Sequence, residues 1–153
     1  MKKNKLLVFG GILSGLIALL HLLIIIGGSD WYRFFGAGEG MAQLAENGST
    51  YPTLITASLV VILTLWALYA FSGAGIINKL PLLKPVLAAI AMIYLLRGIF
   101  GIPIVIYVDQ PYLNELEGKM VFMICSSVIS FTCGILYLIG SMQIRSNIAT
   151  KIK

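Results

Sequence analysis

VLAAIAMIYLLRGIFGIPIVIYV, residues 86–108, is almost wholly apolar and carries one charged side chain, Arg97. A membrane-spanning helix needs about 20 predominantly apolar residues, and this stretch is long enough. Three further stretches have the same character, at residues 6–26, 54–77 and 120–142. Because lipid offers no hydrogen-bond partner to backbone groups, all four are predicted to be transmembrane helices.

The composition of the whole chain supports a membrane protein. Of its 153 residues, 59% are hydrophobic and 11% are charged, whereas soluble domains carry roughly 25% charged residues. We therefore predict one all-α membrane domain over residues 1–153, a four-helix bundle with a long helical outer loop at residues 27–53. The first span follows a basic start but is too long for a signal peptide, so we expect it to remain uncleaved.

The charged residues are divided unequally between the two ends of the predicted bundle. One end carries all six acidic residues, and eight of the eleven cations lie at the end that holds the chain termini. Those eight are Lys2, Lys3, Lys5, Lys79, Lys84, Arg145, Lys151 and Lys153. The positive-inside rule then predicts that both termini are cytoplasmic. Anionic lipid headgroups on that face are the expected partners of these cations, and no nucleic-acid partner is predicted.

Arg97 is the strongest functional candidate because charged side chains inside a membrane are rare and cost about 2.5–3.5 kcal/mol to insert. It lies near the middle of its span, too deep to reach either surface easily. Tyr94 and Gly101 share its helical face, at spacings of three and four residues. Pro103 lacks an amide donor and is expected to interrupt the helix above it.

A buried arginine needs an acceptor, and no acidic residue lies in any predicted span. Glu39 is the first candidate, because the glycines of GAGEG (residues 36–40) permit a re-entrant turn toward the membrane. Asp30 is the second candidate from the same loop. Carbonyls, hydroxyls, water or a ligand are alternatives, in which case Glu39 is a solvated loop charge.

His21 is the second ionisable residue within a span. Gly10, Ser14 and Ala18 precede it on much the same face, a pattern typical of a close helix contact. We predict that His21 donates a hydrogen bond to a carbonyl across that contact. A single histidine without further soft ligands predicts neither a haem nor a metal site, and no cofactor is expected.

The fourth predicted span carries small and hydroxyl side chains on one face. They are Ser126, Ser130, Cys133, Tyr137 and Ser141. Such a face most often packs against another helix, and the alternative is that it lines a cavity.

Several segments resemble a group of small, four-span bacterial inner-membrane proteins that are uncharacterised in function. The segments are WYRFFGAGEGMA (31–42), YP (51–52), WALYAFSGAG (66–75) and IYLLRG (93–98). In size and topology the chain is also similar to DoxX-like proteins, without matching their motifs. The resemblance implies a bacterial inner-membrane location and implies no activity.

Three classes of function fit these features. The first is a non-enzymatic accessory protein in which a buried polar cluster around Arg97 supports docking of lipid, a membrane-protein partner or a second copy. The second is a protein that binds or transports a lipid, a quinone or a small anion. Its outward-opening pocket would hold the anion on Arg97, with Glu39, His21 and Tyr94 around it. The third is a membrane enzyme, although no catalytic constellation is visible.

Overall fold

The computed structural model describes residues 3–149, and side chains as far as Ile144. Within that range the chain is helical, with no strand, so the all-α prediction is confirmed. In chain order the helices are α1 (Lys5–Gly27), α2 (Ser29–Phe34), α3 (Glu39–Glu46), α4 (Tyr51–Gly73), α5 (Leu83–Tyr107), α6 (Pro111–Glu117) and α7 (Met120–Ala149).

Four of these helices, α1, α4, α5 and the Met120–Ile144 part of α7, are long and apolar enough to cross a membrane. Their number agrees with the prediction and indicates a multi-pass membrane protein. The second span is displaced, since α4 begins at Tyr51 and ends at Gly73. The reason lies at its two ends, where Pro52 suits a first helical turn and the backbone turns at Gly75, where φ is +75°.

The long helices pack as two pairs, because α1 makes its most extensive contacts with α4, and α5 with α7. Glycine allows the second pair to approach closely. A Cβ atom at Gly98 would lie 2.7 Å from the backbone nitrogen of Phe131. In the first span, Gly10, Ser14 and Ala18 are all buried, which agrees with the predicted close helix contact.

A buried group that we call the tyrosine cluster (Ser14, Trp66, Tyr94 and Tyr137) joins all four long helices. The Tyr137 hydroxyl donates to the carbonyl of Trp66 at 2.9 Å. Ser14 Oγ lies 2.9 Å from the hydroxyls of both Tyr94 and Tyr137. Each hydroxyl has one proton, so Ser14 must donate to Tyr137 and accept from Tyr94. Every hydroxyl in the cluster is therefore satisfied.

Pro103 does not interrupt the third span, contrary to the prediction. Helix α5 continues through it and ends at Tyr107. Proline fixes φ at a helical value and removes only one hydrogen bond here, a loss that membrane helices tolerate.

Candidate functional site

An open cavity of about 670 Å³ lies between the long helices at the end of the bundle that carries α2, α3 and α6. Ligand sites in proteins typically have volumes of about 300–1,000 Å³ and mostly apolar walls with a few polar groups. Most of this wall is also apolar. Its polar members are His21, Tyr32, Thr56, Arg97, Tyr112, Cys125, Ser126 and Ser130.

Arg97 lines this cavity and its side chain is exposed. Its guanidinium donates to the hydroxyl of Ser126 at 3.2 Å and to that of Ser127 at 3.4 Å. Both distances are at or beyond the long end of the normal range for N–H···O bonds. Gly101 does share its face, as predicted, because a Cβ atom there would collide with the guanidinium.

The structure gives Glu39 a different partner from the predicted one. Arg33 Nε and Nη2 each donate to one oxygen of the Glu39 carboxylate at 2.8 Å, a bidentate pair. Among the residues described, no carboxylate lies within ion-pair distance of Arg97. Instead of a re-entrant turn, Gly36 and Gly38 take φ values of +73° and +93°. The chain therefore reverses, and Glu39 begins α3 close to Arg33 on α2.

Arg33 also holds the two other acidic residues of this segment. Its Nη1 donates to Glu46 at 2.6 Å and lies 3.6 Å from Asp30. The hydrogen bonds from Arg33 lower the pKa values of Glu39 and Glu46 below the ordinary carboxyl range. The same carboxylates raise the pKa of Arg33. Arg33 therefore joins α2 to α3 as a permanent cation.

We call residues 28–50, which contain α2 and α3, the cap. Three bonds hold the cap against α6 and the start of α7. Tyr112 donates to the carbonyl of Gly36 at 2.9 Å, and the amide of Glu39 donates to the Glu115 carboxylate at 2.7 Å. The Lys119 ammonium donates to the Arg33 carbonyl. Sequence reasoning missed these roles of Arg33, Glu115 and Lys119, although the mixed charges of the two loops were the available signal.

His21 also lines the cavity, but its hydrogen bond differs from the predicted one. Its Nδ1 lies 2.8 Å from the carbonyl of Ile17, one turn earlier on its own helix. A carbonyl can only accept, so Nδ1 carries a proton and Nε2 is the ring's remaining polar atom. Within the described part of the chain, Nε2 has no hydrogen-bond partner.

One further polar side chain at the cavity also has unused hydrogen-bonding capacity. Tyr32 is 2% exposed, and its buried hydroxyl has no partner among residues 3–144. Thr56 and Ser130 also line the cavity. Leaving a buried hydroxyl unpaired costs about 1–3 kcal/mol. The cavity thus differs from the fully satisfied tyrosine cluster and suits a polar guest.

The predicted ligand set is therefore divided. Arg97 and His21 both line the cavity, and Gly101 lies beside the Arg97 guanidinium. Tyr94 is instead buried in the tyrosine cluster, and Glu39 and Asp30 belong to the cap. On the fourth span, Ser126 and Ser130 line the cavity, and Cys133 and Tyr137 pack in the core.

No known family model matches this chain, and neither curated proteins nor solved structures yield a similar one. The cavity is therefore the feature from which a function can be inferred. Among the described residues there is no group of three or more His, Cys, Asp or Glu side chains that could hold a metal ion.

Proposed function

We propose that the protein binds a membrane-soluble molecule in this cavity and holds its anionic or strongly accepting headgroup on Arg97. The observation that carries the proposal is that the Arg97 guanidinium has few hydrogen-bond partners within the protein. Its permanent charge faces a largely apolar cavity, with two long hydrogen bonds to neutral hydroxyls and, within the described residues, no carboxylate. A guanidinium has five N–H donors, so most of its capacity remains available to a ligand.

A charge inside a membrane has a large desolvation cost. A charged side chain at this depth is stable only beside a partner or in a wet cavity. Charge-assisted hydrogen bonds to an anion are about twice as strong as bonds to neutral groups. Lipids, quinones and small anions all present suitable oxygen atoms, and the apolar wall favours those with a hydrophobic part.

The alternative of a purely structural cluster has less support. The sequence placed Arg97 at the centre of such a cluster, but the polar group that joins all four helices is the tyrosine cluster. Arg97 contributes nothing to that hydrogen-bond chain.

We further propose that both chain termini face the cytoplasm of a bacterial cell and that the cap lies outside its inner membrane. Lys3, Lys5, Lys79 and Lys84 support this orientation, because they lie at the end opposite the cap. Asn4 fixes that end by bonding to Ala74 and Gly140. Cations near the membrane favour the cytoplasmic side, where they meet anionic headgroups.

Native mass spectrometry of purified protein tests the binding proposal. Wild-type protein is expected to carry a small molecule from the membrane, and Arg97→Leu to lose it, with affinity lowered about 10- to 100-fold. Arg97→Lys keeps the charge without the planar fork and should retain part of the binding. Lys84→Leu removes a cation from the far end of the same helix and is the matched control. Equal adducts on wild type and Arg97→Leu would refute the proposal.

A further inference from the structure

The polar atoms around the cavity include donors and at least one acceptor. Arg97 offers only N–H donors. His21 complements it when its ring is neutral, because Nδ1 donates to the Ile17 carbonyl and the lone pair of that tautomer lies on Nε2. A guest that satisfies both side chains must therefore present an acceptor to Arg97 and a hydrogen-bond donor to His21.

This requirement divides the common membrane-soluble molecules into those that only accept hydrogen bonds and those that also donate them. Quinone carbonyls and deprotonated fatty acids only accept hydrogen bonds. Phosphodiesters whose headgroup lacks hydroxyl, amine or amide protons also only accept. A phosphodiester with an ammonium group also supplies a donor, but it brings a second cation beside Arg97 into a cavity whose described lining holds no carboxylate. A phosphodiester that carries hydroxyl groups supplies acceptor oxygens and donors without that additional charge. The buried Tyr32 hydroxyl, which has no partner among the described residues, suits the same headgroup, since a hydroxyl both donates and accepts.

The wall of the cavity indicates that the guest is a lipid. Apolar side chains from α1, α4, α7 and the cap line most of it, among them Leu20, Leu59, Met41 and Ile129. A freely water-soluble headgroup would leave this surface without a matching apolar part. The volume of about 670 Å³ accommodates a headgroup together with the adjoining part of an acyl chain.

We infer that the cavity selects an anionic phospholipid with a hydroxyl-bearing headgroup, of the phosphoglycerol type. The phosphate oxygens accept from Arg97, and a headgroup hydroxyl donates to Nε2 of His21. This inference rests on the proposed function, which requires only that a headgroup is held on Arg97.

The test compares two lipids that differ only in the headgroup hydroxyls. Dioleoyl phosphatidylglycerol and dioleoyl phosphatidylpropanol carry the same charge, the same acyl chains and a three-carbon headgroup, but only the first has headgroup hydroxyls. Apparent dissociation constants are measured by titration in native mass spectrometry, on delipidated protein in one detergent at pH 8. Wild type is expected to prefer the glycerol headgroup about 3- to 10-fold, the value of one hydrogen bond.

Variants assign that preference to His21. His21→Leu should bind both lipids with equal affinity, whereas His21→Gln retains an accepting oxygen and should keep part of the preference. Arg97→Leu should weaken both lipids. Circular dichroism and thermal unfolding establish that each variant is folded.

The other possible results of these binding experiments contradict either this inference or the assignment of the guest as a lipid. Equal binding of the two lipids to wild type, or an unchanged preference in His21→Leu, overturns this inference and leaves the proposed function standing. Displacement of the lipid by an equal concentration of water-soluble glycerophosphoglycerol overturns the assignment to a lipid. Absence of saturable, Arg97-dependent binding of either lipid overturns this inference, whereas the proposed function is overturned only by equal native adducts on wild type and Arg97→Leu.

Discussion

The direction of the hydrogen bonds in the tyrosine cluster makes a specific prediction for Ser14→Ala. In the intact cluster, Tyr94 donates to Ser14, Ser14 donates to Tyr137, and Tyr137 donates to the Trp66 carbonyl. Removing the serine hydroxyl leaves the Tyr94 hydroxyl, on a side chain that is 5% exposed, without an acceptor. The expected loss in free energy of unfolding is about 1–3 kcal/mol, the cost of a buried unpaired donor.

Tyr94→Phe should behave differently, because Tyr94 stands at the donating end of the chain. Its removal leaves Ser14 still donating to Tyr137, so only one interhelical bond is lost, at about 0.6 kcal/mol in a membrane protein. In the double variant no donor is left unpaired. The double variant should therefore be about 1 kcal/mol more stable than Ser14→Ala alone.

Reversible unfolding in mixed micelles, followed by circular dichroism, measures these free energies. Ser58→Ala is the matched control, because the Ser58 hydroxyl bonds to Leu54 within its own helix and is exposed. If the two single losses simply add in the double variant, the two side chains are not coupled and the deduced order of donors is incorrect.

Three further predictions concern the cap and the cavity. Gly38→Ala places a methyl group against the Tyr112 ring, at a residue whose φ is +93°, so the cap should detach from α6. Amide hydrogen exchange of residues 29–46 should then be faster than in wild type. Because Arg33 lowers the pKa of Glu39, their pair stabilises the cap above the ordinary carboxyl pKa, and this contribution is lost as the pH falls through the lowered value. The same exchange measurement, expressed as protection factors to remove the intrinsic pH dependence of amide exchange, should show cap opening on acidification. Glu39→Gln should remove the part of this pH dependence that comes from Glu39 and leave the part that comes from Glu46, whose pKa Arg33 also lowers. Cys125 lines the cavity and is exposed, so a bound ligand should slow its reaction with a small maleimide at least several-fold. Cys133 is buried and should stay unreactive with or without the ligand.

The four spans could be predicted because a helix that crosses a bilayer must contain about 20 apolar residues, a requirement that is visible in composition. Arg97 could be identified as a candidate site residue because inserting its charge into a membrane costs free energy. Gly101 was placed correctly because a spacing of four residues nearly completes a helical turn. These predictions depend only on the periodicity of the α-helix and on the properties of the lipid bilayer.

The partners of these residues could not be predicted, because they depend on how the chain turns and how the helices rotate. Tyr94 and Arg97 are three residues apart, which leaves them about 60° apart around the helix axis. That angle is enough to direct one side chain to the tyrosine cluster and the other to the cavity. Glu39 is bonded to Arg33 because the backbone reverses at two glycines, and sequence alone gave no direction for that reversal.

An experimental structure of the protein purified from its native membrane would show directly whether Arg97 holds the headgroup of a ligand in the cavity. We predict electron density for an amphiphile inside the cavity, with oxygen atoms of its headgroup within hydrogen-bonding distance of the Arg97 guanidinium. A cavity without a guest, in which Arg97 is paired with a carboxylate or a carbonyl of its own chain, would contradict the account.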